Sequence, residues 1–225
     1  MKRLFILSLI CCVTMAMAQS GQGRYCCTYQ DFCNDKWESL DSISITQHSK
    51  RRQLWWGGND YSLSSKDRAT EKLLKKEAFV VMLGDSLYVN CRNLRYQKTA
   101  FGRGFTKAKR IGNRSILFVN MLIGKEIQKE QIKASAMFGL IGLISTGSEQ
   151  MKQQVCYVIS NGAREKGLIE VRLVNDDLIR QMLKGQGPLL AEYYLEDDDN
   201  LRIHASRVLP ILEKAGLFKQ ENLTE

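Results

Sequence analysis

Residues 79–91 read Phe79-Val80-Val81-Met82-Leu83-Gly84-Asp85-Ser86-Leu87-Tyr88-Val89-Asn90-Cys91. Two runs rich in β-branched and aromatic residues flank Gly84-Asp85-Ser86. The runs have strand length and strand composition. Glycine supplies the positive φ that a tight turn needs. The stretch therefore predicts a β-hairpin, and with it a sheet.

The same signature recurs on the C-terminal side. Phe105 to Ile111 turns at Gly112-Asn113-Arg114 into Ser115-Ile116-Leu117-Phe118-Val119. Val155 to Ser160 passes through Asn161-Gly162 and Gly167 into Leu168 to Val174. On the N-terminal side, Ile43-Ser44-Ile45-Thr46 alternates as a half-buried strand does. Leu54-Trp55-Trp56 precedes Gly57-Gly58-Asn59-Asp60, a turn signal, and Tyr61 and Leu63 resume the alternation. Gly-Asp-Ser-Leu-Tyr-Val-Asn and Gly-Asn-Arg-Ser-Ile-Leu-Phe-Val-Asn look alike as two hairpins of one sheet would, not as a repeat.

Helices fill the remaining intervals. Lys66 to Glu77 is capped by Ser65 and carries an Ala69, Leu73, Leu74 stripe. A solvated loop leading into the next strand is the alternative there. Ala134 to Ile144 is apolar on nearly all sides, with Gly139 and Gly142 allowing close approach. Such a helix must be buried: in the core, in a homo-oligomer or partner groove, or in a membrane. Asn175 caps a helix that opens with Asp176 and Asp177 and ends at Gly185. Pro188 opens the next helix, and Leu201 to Ala215 forms the last, which Pro210 should kink or split. The predicted fold is one α+β domain over 36–225. It has a mostly antiparallel sheet built from hairpins, an apolar central helix and C-terminal helices. A polar, flexible arm at 19–35 precedes it.

The first eighteen residues follow the physics of export. Lys2 and Arg3 are followed by an apolar run from Leu4 to Val13, and Ala16-Met17-Ala18 places cleavage between Ala18 and Gln19. A buried N-terminal helix and a lipoprotein signal are the alternatives, but the residues before Cys11 and Cys12 suit lipidation poorly. The run is half the ~20 residues of a membrane span, and no later stretch predicts a transmembrane helix. The expected setting is periplasmic or secreted. The chain has 225 residues and a formal charge of +9, which falls to +7 when the leader leaves with its two cations. Five cysteines then remain. In an oxidising compartment a local Cys27–Cys33 bridge is conceivable. Cys91 and Cys156 read as core residues.

Little of the sequence points to chemistry. There is no Gly-x-Ser-x-Gly, Walker loop or HExxH, and His48 and His204 have no zinc-like spacing. No metal, cofactor or catalytic residue is expected, though a triad assembles in space and not in sequence. Glu196-Asp197-Asp198-Asp199 lacks the ligand alternation of a calcium loop and reads as a solvated helix start. The notable feature is basic: Lys98, Arg103, Lys107, Lys109, Arg110 and Arg114, with Phe101 and Phe105 among them. Such a patch attracts polyanions. Alternate strand positions that place cations on the wet face would read the same way. Trp55, beside Gly57-Gly58, is a candidate sugar-stacking platform, with packing in the core its competing use.

Several segments together carry a resemblance: 54–61 (LWWGGNDY), 84–91 (GDSLYVNC), 101–108 (FGRGFTKA), 155–159 (VCYVI) and 208–216 (VLPILEKAG). The chain resembles uncharacterised secreted proteins of gut and oral Bacteroidota. The resemblance implies a Gram-negative envelope setting and brings no activity and no site residues. The expected function is non-enzymatic binding at the envelope. Partners would be polyanions, glycans or another envelope protein, without nucleic acid. A hydrolase of envelope glycan or peptide is the alternative. A cleft gathering acidic pairs, or a serine beside His48 or His204, would favour it.

Overall fold

The computed structural model describes residues 20–48, 59–124, 154–163 and 167–219. The chain begins with β1 (Ser20–Cys26), α1 (Tyr29–Cys33), β2 (Glu38–Gln47), β3 (Tyr61–Ser65) and α2 (Arg68–Lys76). The predicted hairpin follows as β4 (Val80–Leu83) and β5 (Ser86–Asn90). After a 3-10 turn at Cys91–Asn93 come β6 (Leu94–Tyr96), β7 (Thr99–Ala100), β8 (Phe105–Ile111) and β9 (Ser115–Met121). Next are β10 (Gln154–Ile159), β11 (Ile169–Glu170) and β12 (Arg172–Leu173). Four helices, α3 (Asp176–Met182), α4 (Gly187–Tyr193), α5 (Asp199–Arg202) and α6 (Ala205–Lys214), lead to β13 (Phe218–Lys219). The fold is α+β, with a ten-stranded antiparallel sheet among the described residues.

β8 organises the sheet. Its first half pairs with β5 (Asn90↔Phe105 to Leu87↔Ala108) and touches β3 through Tyr61↔Phe105. Since β3, β2, β1, β4 and β5 are neighbours in that order, these six strands close into a small barrel. The second half of β8 pairs with β9, which continues through β10 to β12 as an open wing. β3 and β9 thus leave the same edge of β8. The Thr106 hydroxyl bridges the fork by donating to the Val119 carbonyl at 3.0 Å.

The pleat sorts side chains into three cores. Tyr25, Leu40, Ile43, Leu63, Val81 and Phe105 fill the barrel, and the fully buried Leu74 of α2 plugs it. The opposite faces of β4, β5 and β8 join the wing in a core around Phe118 and Tyr157. Phe118 and Tyr157 stack with centroids 5.6 Å apart. The C-terminal helices cover the other face of β9 and β10 with Leu178, Ile179, Val208 and Leu212. Burying each such side chain contributes about 1.5–3 kcal/mol.

Four expectations are corrected. The segment at 20–33, read as a flexible arm, supplies an inner barrel strand and a capped helix. Its glycines disguised it. Gly23 faces Leu83 and Ile43 so closely that a Cβ there would lie 2.7 Å from Leu83 Cδ2. The run 168–174 is not one strand: Ile169–Glu170 pairs in parallel with β6 in a second small sheet, and Arg172–Leu173 pairs with β10. Val171 marks the crossing, its N–H bonded to the Arg95 carbonyl. The last helical stretch breaks at Ile203 and His204, and Pro210 sits inside α6. Finally, α2 is capped by Asp67, which accepts from the Thr70 N–H at 2.7 Å, and not by Ser65. Cys27, just before α1, and Cys33, its last residue, are free thiols. The leader, Trp55 and the Ala134–Ile144 helix lie outside the described residues.

Candidate functional site

β8 starts only at Phe105. Gly104, at φ +99, turns the preceding chain away from β3, its backbone passing close to the Tyr61 carbonyl. Beyond Tyr61, β3 therefore has no strand neighbour on that edge among the described residues. A cleft of about 610 Å³ opens there, between β3, the last turns of α2, the 3-10 turn and the 103–105 segment.

Cations from three separate segments line it: Lys75 and Lys76 of α2, Arg92 of the 3-10 turn, and Arg103 before β8. Two of them have structural partners. Lys75 pairs with Glu71 one helical turn earlier at 2.6 Å, and Arg92 Nη1 donates to the Lys75 carbonyl at 3.2 Å. Glu71, the one carboxylate in the lining, also accepts from the Ser65 N–H at 2.8 Å. Lys75 and these contacts hold its carboxyl below the usual range against the pull of burial. Lys76 and Arg103 have no ion-pair partner among the described residues.

Asn90 fixes the wall of the cleft. It is buried at the end of β5, and its Nδ2 donates to the carbonyls of Leu74 (3.2 Å) and Ala78 (3.0 Å). Its Oδ1 accepts from the Arg92 N–H at 3.1 Å. One amide thus ties barrel, helix end and basic turn together. On its far side a second cleft, of about 490 Å³, shares Lys76, Asn90 and Arg92 and reaches Cys27 and Gly162. Burial raises the Cys27 thiol, and Glu38, Asp31 and Glu77 raise it further. Burial also pushes Cys26 and Cys156 up to about 12 and raises Cys91. These four are thiols with structural character, since a nucleophilic cysteine has a lowered pKa.

The outer rim of β3 holds another pair. His48 Nε2 lies 2.6 Å from Ser62 Oγ, diagonally across the β2–β3 ladder, and Ser62 lines the cleft.

The basic residues singled out in the sequence are dispersed. Arg103 alone enters the cleft. Lys107 and Lys109 line a different recess of about 330 Å³ beside the β3–β9 fork. There Lys109 pairs with Glu213 at 3.7 Å and covers the Phe218 ring at 4.3 Å. Lys98 sits in the β6–β7 turn at φ 69, and Arg114 in the β8–β9 turn, both exposed. Arg110 is the correction within this set. It points into the core at 2% exposure, pairs with Asp35 at 2.6 Å and lies 4.4 Å from the Phe32 ring centroid. Strand alternation puts Lys107 and Lys109 on one face of β8 and Arg110 on the other.

A model of the family of unknown function DUF6563 matches residues 24–219. The chain belongs to that family. The match runs from β1 to β13 and so takes in the barrel, the wing and the C-terminal helices of this DUF6563 protein. No curated protein and no solved structure matches the chain.

Sequence reasoning on this family member missed Lys75, Lys76, Asn90 and Arg92. The lysines read as the wet face of a helix, and Asn90 as an ordinary strand end. The signal available was the Lys-Lys pair at a helix C-terminus, which the helix dipole alone explains. Among the described residues no group of three or more His, Cys, Asp or Glu is placed to hold a metal, and no helix is long and apolar enough to cross a membrane.

Proposed function

We propose that this protein is an exported binding protein whose cationic cleft takes an anionic ligand at the cell envelope. The observation that carries the reading is convergence: four cations reach one 610 Å³ cleft from three segments, opposed by one carboxylate already engaged with Lys75. Helix stabilisation accounts for Lys75 and Arg92. It does not account for Arg103, which comes from a different segment and has no ion-pair partner among the described residues. A positive concavity bounded by low-dielectric walls concentrates anions. Export rests on the Lys2-Arg3 start, the apolar run to Val13 and the Ala16-Met17-Ala18 site.

Calorimetry with an acidic peptide and with a sulfated glycan tests the binding reading. Micromolar affinity that R103E/K76E abolishes would support it. Affinity unchanged in that variant would overturn it. Fractionation of the native host with intact mass tests export: a chain beginning at Gln19 outside the cytoplasm supports it, and an uncleaved cytosolic chain overturns it.

A second reading, a hydrolase of envelope glycan or peptide, is favoured by the Ser62–His48 pair. A serine hydroxyl within hydrogen-bond reach of an imidazole is the arrangement that a nucleophile and its base adopt in serine hydrolases. Labelling by a fluorophosphonate probe, abolished in S62A, would establish it.

A further inference from the structure

The cleft has a property beyond its charge. Along β3 the backbone groups alternate between the β2 side and the cleft side. The Asp60 carbonyl accepts from the His48 N–H at 2.7 Å, so even-numbered residues face β2. Tyr61 pairs with Phe105, and the Ser65 N–H bonds Glu71 Oε2, so odd-numbered residues face the other way. Leu63, midway between them, turns its N–H and C=O toward the cleft. No described group bonds either one. An unpaired strand edge is a template for another extended chain. Here the edge is short, lies inside a concavity, and shares the lining of that concavity with Arg103, Lys75 and Lys76.

We propose that the Leu63 edge of β3 receives an extended acidic peptide by strand addition. The peptide takes the place that β8 vacates when Gly104 turns away. Its main chain exchanges hydrogen bonds with Leu63, and carboxylates next to that position meet Arg103 and Lys76. Main-chain pairing supplies affinity in this recognition mode and the flanking pockets supply selectivity. A second strand edge competes for the role: β12, at the end of the wing, is also unpaired on one side among the described residues. It is two residues long, and the recess beside it sets Glu170 and Asp177 against Arg172 and Arg180, without the excess of cations over Glu71 that the β3 cleft has. Charge therefore selects β3. The inference rests on the anionic-ligand reading and narrows it to peptides.

The test uses the mature chain and four probes: an acetylated, amidated decapeptide of alternating Glu and Thr, two versions of it N-methylated at every second amide in the two alternate registers, and a sulfated glycan. Both N-methyl registers are made, so that one always blocks the edge facing β3. The expected result is binding of the parent peptide, weakened at least tenfold by one N-methyl register and little by the other. The Leu63 amide should gain hydrogen-exchange protection in the complex. Equal binding of all three peptides, without protection of Leu63, overturns strand addition and leaves the anionic cleft standing. Binding of the glycan with no binding of any peptide does the same. Failure of every probe to bind overturns both readings.

Discussion

Asp35 Oδ1 lies 2.6 Å from Arg110 Nη1, joining the turn after α1 to the face of β8 that turns away from the barrel interior. The guanidinium also donates to the Asn113 carbonyl at 3.1 Å and covers the Phe32 ring. A buried cation needs such company, because removing its partner leaves an unsatisfied charge. Replacing Asp35 by Ala should therefore destabilise the fold by on the order of 1–3 kcal/mol, read as a lower urea midpoint at unchanged m-value. The same replacement at exposed Asp85 should change the midpoint little.

The pair also carries a pH dependence. The hydrogen bond from Arg110 holds the Asp35 carboxyl below the usual aspartate range. Arg202 does the same for Asp176, contacting Oδ2 from Nη2 at 2.8 Å and Oδ1 from Nε at 3.2 Å. Both folded-state values lie below the unfolded one. Their stabilisation is thus complete above the ordinary carboxylate range near pH 4. It is lost as pH falls through the lowered values. Thermal melts should decline below about pH 4, and D35N/D176N should flatten that decline.

Gly23 tests the barrel. A methyl group there would meet Leu83 Cδ2 at 2.7 Å, the Met82 carbonyl at 2.9 Å and Ile43 Cδ1 at 3.0 Å. The carbonyl cannot move without disturbing the β1–β4 ladder. Gly23→Ala should lower stability by about 1–3 kcal/mol, the cost of overpacking a filled core. A Tm equal to wild type would contradict the closed interior.

Charge reversal separates the cleft from the rest of the basic surface. R103E and K76E should each weaken binding of an acidic peptide severalfold and leave the melting temperature within a degree or two. K98E, in the β6–β7 turn, should leave affinity unchanged at the same net charge. Equal losses in all three would show that overall charge, not the cleft, drives binding.

Ser62→Ala gives a two-sided result. If the His48 contact is only a cross-strand hydrogen bond, the variant loses about 1 kcal/mol and no activity. If the pair is nucleophile and base, fluorophosphonate labelling of the native chain disappears in the variant.

Much of the fold was legible. The hairpins at 79–91 and 105–119 read correctly because period-2 patterning and a positive-φ glycine are local properties. The helix starts at Asn175 and Pro188 read correctly for the same reason. The run 168–174 misled because Val171, an apolar residue in an apolar run, carries no mark that the chain changes sheets there. Residues 20–33 misled because Gly23 looks like part of a linker when the side chain it accommodates, Leu83, is sixty residues away. The site was less legible. Of the cations singled out, Arg103 alone lines the cleft. Lys76, Arg92 and Asn90 join it from segments that look ordinary by themselves.

The sequence by itself determined the α+β class, the hairpins at 79–91 and 105–119, and the helix cap at Asn175. All of these depend on residues within one turn or strand of each other. Only the tertiary structure decided that β8 closes a barrel and then leaves it for the wing. It also decided that Arg110 is core while Lys109 is surface, and that an unpaired edge at Leu63 stands beside Arg103. Those outcomes depend on which distant strands pair, and strand pairing is decided by the shared burial of side chains from many segments at once.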